Sequence, residues 1–372
     1  MSRPISEDAL SVLPPKRGVV LLLGEDDKPI VVLPAAHLRN RTMNRLNQDE
    51  PSRLGDLHNI VHAIAWKCSH SHFQMDLDYL ELVRRLWPKR YQAMLAWKSS
   101  WFVHVDLEER YPYFSRTREV YSQRGTYLGP FPDGASAGRF IETLQDAFDL
   151  CRDVKCLRQS PSGRRCAYGE MGKCLSPCDG TISAGDYKRV VEEAFAFAKS
   201  PTDPELLDGI HNQMKQAAGQ LEFERAGRLK ARLERIGRLD NEKYRHVKPV
   251  KQFNWLMIQR GPARRRLCTF FVQGGAISQG PTIKYPPSAK SLDEILSAGR
   301  KYVPQSIADP TLLRFRIGLV GHYLFTPPRR GGIIIRWNDQ LDATEVLIRI
   351  EESASDMKLI AIPGSSGDPP GQ

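Results

Sequence analysis

The chain has 372 residues, 41% hydrophobic and 26% charged. That is enough apolar material for two or three packed domains and too much for wholesale disorder. Fifty-four Lys and Arg against 43 Asp and Glu leave a net charge of +11, which favours a polyanionic partner, nucleic acid ahead of an anionic membrane. The longest apolar run, Val19 to Leu23, falls far short of the roughly 20 residues of a membrane helix. The start, MSRPISEDALSV, carries acids and no apolar stretch of a secretory signal. A cytoplasmic protein without a membrane partner is expected.

In chain order, residues 17–34 (RGVVLLLGEDDKPIVVLP) predict two short strands around a polar turn, Gly24 to Lys28. AAHLRNRTMNRL then predicts a basic helix start. Residues 54–68 and 76–95 carry helical periodicity, with Leu77, Leu80, Val83 and Leu86 on one face. These elements make a small α/β unit over 14–95. WFVHVDL (101–107) predicts a strand, Ala137 to Leu150 a helix, and 184–199 another, so that 96–200 forms a linker strand plus a cysteine-rich module. SPTDP (200–204) is a linker. Over 204–240 a helical hairpin is expected, with a heptad-like seam of Ala226, Leu229, Leu233 and Ile236. Its other face carries Arg225, Arg228, Lys230, Arg232, Arg235 and Arg238. Beyond Val247 the runs FNWLMIQR, LCTFFVQ, GGIIIRW and EVLIRI predict strands, and 292–302 and 309–325 predict helices. The expected class is an α+β multidomain protein whose β-rich C-terminal domain covers 247–362, with a disordered tail at 363–372.

Seven cysteines, an odd number, include five between positions 151 and 178. In a reducing compartment such clustering argues for metal rather than disulfides. Cys156, Cys166, Cys174 and Cys178 follow C-x9-C-x7-C-x3-C, and four thiolates can close the shell of Zn2+ or hold an iron–sulfur cluster. Cys151 is a fifth candidate for the first ligand, and spacing alone does not choose between zinc and iron.

The residues around these cysteines resemble a known family. YLGPFPDGASAGRFIETLQDAFDL followed by RRCAYGEMGKCLSPCDGTISAGDYKRVVEEA is similar to the middle of UvrC, the nuclease subunit of the bacterial excinuclease. Gly172, Lys173, Cys174, Pro177, Cys178 and Gly180 match its G-[RK]-C-x-x-P-C-x-G pattern. The resemblance implies a [4Fe–4S] cluster on these cysteines, with Zn2+ the alternative. Met214 to Ile236 (MKQAAGQLEFERAGRLKARLERI) resembles the UVR motif, matching at Met214, Leu221, Phe223, Leu229 and Ile236. In the family this helical pair docks on UvrB. A hairpin packed on its own chain is the other arrangement open to such a short apolar face.

Residues 14–92 resemble the layout of the GIY-YIG nuclease domain that begins UvrC. That chemistry uses tyrosines that activate water, an arginine and a lysine for the phosphate, and a glutamate for Mg2+. Here the tyrosine positions hold Val20 and Val31, the lysine position Pro34 and the glutamate position Tyr79, while Arg41 remains, with Arg39 beside it. Valine moves no proton and tyrosine is a poor Mg2+ ligand, so the fold is expected to be degenerate. Asp78 or Glu81 as metal ligand and His37 as base would be a rescue; His37 as a helix start is the plainer role. No counterpart of the family's C-terminal nuclease and helix-hairpin-helix motifs is visible after Val250.

Basic clusters at Arg39, Arg41 and Arg45, at Arg110, Arg116, Arg118 and Arg124, at Arg164 and Arg165, at Arg264 to Arg266, and at Arg329 and Arg330 suit phosphate contacts of low sequence specificity. Tyr111, Tyr113, Phe114 and Tyr121 interleave with the second cluster. The expectation is a UvrC-like DNA-binding accessory or scaffold that docks on UvrB or damaged duplex. The alternatives are an active, Mg2+-dependent Cho-like endonuclease making the 3′ incision, and a partner-binding protein that touches no DNA.

Overall fold

The computed structural model describes residues 10–47, 57–120, 124–304, 309–326 and 332–355. Arg329, Arg330, Tyr121 and the tail expected at 363–372 lie outside them.

The N-terminal unit is a three-stranded antiparallel sheet ordered β2-β1-β3. Strands β1 (Gly18–Leu23) and β2 (Pro29–Ala35) are joined by the predicted polar turn, and β3 (Ala63–Cys68) pairs with the other edge of β1. The helix expected over 54–68 is therefore corrected: the described part holds one helical turn, Leu57–Ile60, and then a strand. Both edges of the apolar β1 need partners, and strand pairing overrides the helical spacing of AIAWKC. Gly18 permits the crossing, because a Cβ there would lie 2.1 Å from the Lys67 carbonyl oxygen. Alternation along β1 buries Val20 and Leu22 with Leu38 and Leu46 on one face, and Val19 with Phe73, Leu80 and Val83 on the other. Helix α1 (Leu38–Leu46) covers the first face and begins at His37, whose Nδ1 accepts from the Asn40 amide at 3.3 Å. Helix α2 (His72–Leu86) covers the second and starts on Ser71.

The middle unit has strands β4 (Trp101–Val105), β5 (Ser115–Thr117) and β6 (Thr126–Phe131), with α3 (Gly134–Phe148) and α4 (Ala184–Lys199) packed beside them. Asp133 and Ser183 cap the two helices, each accepting from an amide three residues on. The hairpin follows as α5 (Pro204–Gly219) and α6 (Phe223–Ile236). The chain then returns as β7 (Lys248–Pro249) on the edge of this sheet, ordered β5-β4-β6-β7.

The C-terminal sheet is ordered β10-β9-β8-β11, from β8 (Asn254–Arg260), β9 (Arg266–Gln273), β10 (Ala276–Lys284) and β11 (Ile333–Arg336). Helices α7 (Ala289–Lys301), α8 (Pro310–Leu324) and α9 (Ala343–Glu352) complete it. EVLIRI, expected as a strand, lies in α9 instead. Asp342 caps it by accepting from the Glu345 amide at 2.8 Å, and Val346 and Ile350, one helical turn apart, are buried while Ile348 is exposed. Strand β10 escaped prediction because Gly280 and Pro281 interrupt it, where its register against β9 shifts between Gln279 and Thr282.

Segments far apart in sequence share one core. Phe73 of α2 meets Phe270 of β9 and Tyr323 of α8 edge-on, at 5.2 and 5.3 Å. Glu81 of α2 accepts from both Nε and Nη2 of Arg316 on α8, at 3.0 and 2.6 Å. The Tyr323 hydroxyl donates to Asp76 at 2.6 Å. Among the described residues no helix is long and apolar enough to cross a membrane.

Candidate functional site

The cysteine loop spans the interval between α3 and α4. Helix α3 ends at Asp149, a left-handed residue (φ 50°) whose carbonyl accepts from Leu175, so the far end of the loop folds back on the near end. Cys151, Cys174 and Cys178 are buried; Cys156 and Cys166 are half-buried. The Gly163 amide donates to the Cys178 carbonyl at 2.7 Å, Arg165 grips Asp179 at 2.7 Å, and Ser176 N–H donates to Cys174 Sγ at 3.4 Å. Asp179 is held down at about 2, chiefly by the Thr181 hydroxyl and then by Arg165.

The loop brings all five sulfurs into mutual influence. Interaction between the Cys151 and Cys174 thiols pushes Cys151 up and Cys174 down, and the Cys151 thiol donates to the Asp153 carbonyl at 3.3 Å. Burial pushes Cys178 up, with Asp179, Cys166 and Cys174 adding to it. Cys156 is raised by desolvation first and then by the Asp153 carboxylate. The donor chemistry suits a thiophilic metal. Among the described residues, however, no three His, Cys, Asp or Glu side chains are arranged to hold one ion.

The positions tied by resemblance to nuclease chemistry do not converge. Val20 is fully buried beneath α1, and Val31, paired with Leu22, is half-buried on the edge strand. Tyr79 is buried on the opposite side of the sheet, in the core shared by α2 and β9, and its hydroxyl donates to the Met94 carbonyl at 3.1 Å. Burial pushes its pKa up. Arg41 is exposed on α1. The nearby acids are engaged: Glu81 by Arg316, and Asp78 by Lys67 at 2.6 Å and the Ser69 hydroxyl at 2.7 Å.

The basic residues fall into separate places. Arg39 ties down the N-terminal segment through the Leu13 carbonyl at 2.9 Å. Arg116 and Arg118 are exposed and both lie over the Trp101 ring, at 5.9 and 4.6 Å. Arg164 is exposed on the cysteine loop beside the paired Arg165. In the hairpin, Leu229 and Ile236 are buried against the chain's own middle unit and Met214 is half-buried there, whereas Leu221 and Phe223 at the turn are 72% and 68% exposed. Sequence reasoning missed that the arginine face of α6 looks onto the cysteine loop at Arg152, Tyr168 and Lys173. The spacing of Arg225, Arg228, Arg232 and Arg235 marks one helical face, but nothing local says what lies opposite it.

Residues 100–197, the sheet β4–β6 with α3, the cysteine loop and most of α4, match the model of the UvrC/Cho excinuclease middle domain. Over this middle segment the chain is similar to the UvrC/Cho excinuclease family. It is 30% identical over 171 residues to the UvrABC system protein C of Nautilia profundicola, covering 46% of this chain and 26% of that protein. Against the UvrABC system protein C of Methanothermobacter thermautotrophicus it is 22% identical over 352 residues, covering 94% and 57%. Against that of Caulobacter vibrioides it is 24% identical over 270 residues, covering 72% and 42%. The chain spans about half the length of several of the curated relatives it matches, 57% of the first. No solved structure matches it.

Proposed function

We propose that this chain is a UvrC/Cho family member and acts in nucleotide excision repair as a DNA-binding accessory or scaffold that docks on UvrB or damaged DNA and does not cut. The observation that carries the non-catalytic part is the occupancy of the N-terminal sheet. Two of the expected catalytic positions are core residues, Val20 and Tyr79, on opposite faces, and Glu81 and Asp78, the acids nearest Tyr79 in sequence, are committed to Arg316 and Lys67. A bound Mg2+ would have to displace these partners.

Docking on UvrB is assigned to the tip of the hairpin. Leu221 takes a left-handed backbone (φ 60°) that closes the end of α5, its N–H donating to the Ala218 carbonyl at 3.1 Å and that of Glu222 to the Ala217 carbonyl at 2.9 Å, and this turn leaves its side chain exposed. Exposed Leu221 and Phe223 at the turn support a role in contact with a partner. The [4Fe–4S] cluster, with Zn2+ as the alternative, is assigned to Cys156, Cys166, Cys174 and Cys178, where it would tie the folded loop together. Captured UvrB and lesion-bearing duplex are the direct tests. Binding of both is expected, with UvrB capture lost in Phe223→Ala while DNA binding persists. Equal capture of UvrB by that variant would remove the tip from the account.

A further inference from the structure

A cleft of about 930 Å3 lies between α6 and the cysteine loop. Seven basic side chains and two acids line it, so its field is strongly positive even within a basic protein. Two of the arginines build its shape. Arg232 Nε donates to the Ala147 carbonyl at 3.0 Å and Arg235 Nη1 to the Asp146 carbonyl at 2.6 Å. These are carbonyls at the C-terminal end of α3, where cations are favoured, so they clamp α6 against the loop's entry. Of the remaining cations, Arg225 pairs with Glu222 at 2.9 Å and Arg152 with Asp146, which leaves three without a close carboxylate. Lys173 and Arg238 are exposed, and exposed Arg228 reaches Glu224 only at 3.9 Å.

The rim carries an aromatic ring. Tyr168 is 40% exposed, and the Arg152 guanidinium lies over it at 5.0 Å. A basic groove with an accessible ring suits one nucleic-acid strand, whose phosphates follow the cations and whose bases stack on the ring. A duplex keeps its bases stacked on one another and would leave the ring without a role. We propose that the cleft between α6 and the cysteine loop binds a single strand of nucleic acid, with phosphates on Lys173, Arg228 and Arg238 and a base on Tyr168. The site rests on the nucleic-acid part of the function proposed above and gives it a location.

The test is fluorescence anisotropy of dye-labelled oligothymidylate with the full chain across a salt series. The combined variant Lys173→Ala, Arg228→Ala, Arg238→Ala is expected to weaken binding at least ten-fold. Losing three phosphate contacts at about 0.7 each lowers the slope of log affinity against log salt by about two. Tyr168→Ala is expected to weaken binding about five-fold or more with the slope unchanged. These side chains are exposed, so the urea midpoint stays at the wild-type value in both. Unchanged binding in the two cleft variants, with loss in Arg116→Ala, Arg118→Ala, would overturn the site while leaving the nucleic-acid function standing. Tighter binding of polyglutamate than of oligothymidylate, or duplex binding equal to single-strand binding and indifferent to Tyr168, would also overturn it. Failure of the wild-type chain to bind any nucleic acid would sink the proposed function and the site together.

Discussion

The division of labour along the hairpin leads to a sharp expectation for Ile236→Ala. Ile236 is fully buried at the end of α6, in the core of the middle unit, and Leu229 one face up is nearly so. The substitution removes three buried carbon groups at about 0.8 kcal/mol each, and the cavity left behind brings the cost to about 3 kcal/mol. The clamp of Arg232 and Arg235 on α3 limits how far α6 can settle into that cavity. At the tip the same truncation should do little: Leu221→Ala and Phe223→Ala remove mainly solvated surface, and their effect on stability should stay within about 0.5 kcal/mol. Urea unfolding of the full chain, followed by far-UV circular dichroism, reads all three. A small effect at Ile236 with a large one at Phe223 would refute the docking of α6 on its own chain and with it the assignment of the tip to a partner.

Acid should weaken the protein through His246. Burial, then Arg245 and Arg336, hold its pKa down at about 4 against an ordinary 6.5. The unfolded chain therefore binds the proton first, so stability is intact above 6.5 and falls through the window down to about 4, by about 3 kcal/mol. His246→Gln should flatten that part of the profile, and an unchanged profile would contradict it. Arg316→Ala should cost about 1–2 kcal/mol by stranding the partly buried Glu81, with Arg316→Lys recovering part of it; no change in urea midpoint would mean the link between α2 and α8 is idle. Gly318→Ala places a Cβ 2.8 Å from the Lys98 carbonyl oxygen, and the overpacking should cost about 1–3 kcal/mol; a neutral result would show that α8 can move off that backbone. Anaerobically purified protein should be coloured and hold iron, lost in Cys156→Ser and kept in Cys151→Ser; a zinc-only protein, or the reverse pattern, would displace the cluster assignment.

Where the sequence carries its own periodicity and caps, the elements were legible. The strands β1 and β2, the helix over 184–199 and the hairpin are set by alternation, by Ser183 and by Asp203, all local signals. The misreadings came where a distant partner decides. AIAWKC becomes a strand because β1 offers it an edge, and EVLIRI becomes a helix because Asp342 caps it and its burial follows the helical period. The site shows the same division. The cysteine spacing announced a thiol cluster, but the Cys151–Cys174 pair, the burial of Tyr79 on the far face and the engagement of Glu81 by a helix more than 200 residues away depend on tertiary contacts. The cleft opposite the α6 arginines belongs to the same class: one wall could be read from helical spacing, and the other comes from a loop 50 residues earlier.

Whether the N-terminal sheet cuts DNA is decided by a strand-cleavage assay. The full chain is incubated with lesion-bearing duplex, UvrB, ATP and either Mg2+ or Mn2+, with Arg41→Ala as the companion variant and DNA binding measured in the same samples. The account predicts bound DNA and no nick. A nick 3′ to the lesion that disappears in Arg41→Ala would contradict it, and would mean that the N-terminal sheet performs the cut with groups other than Val20, Val31 and Tyr79.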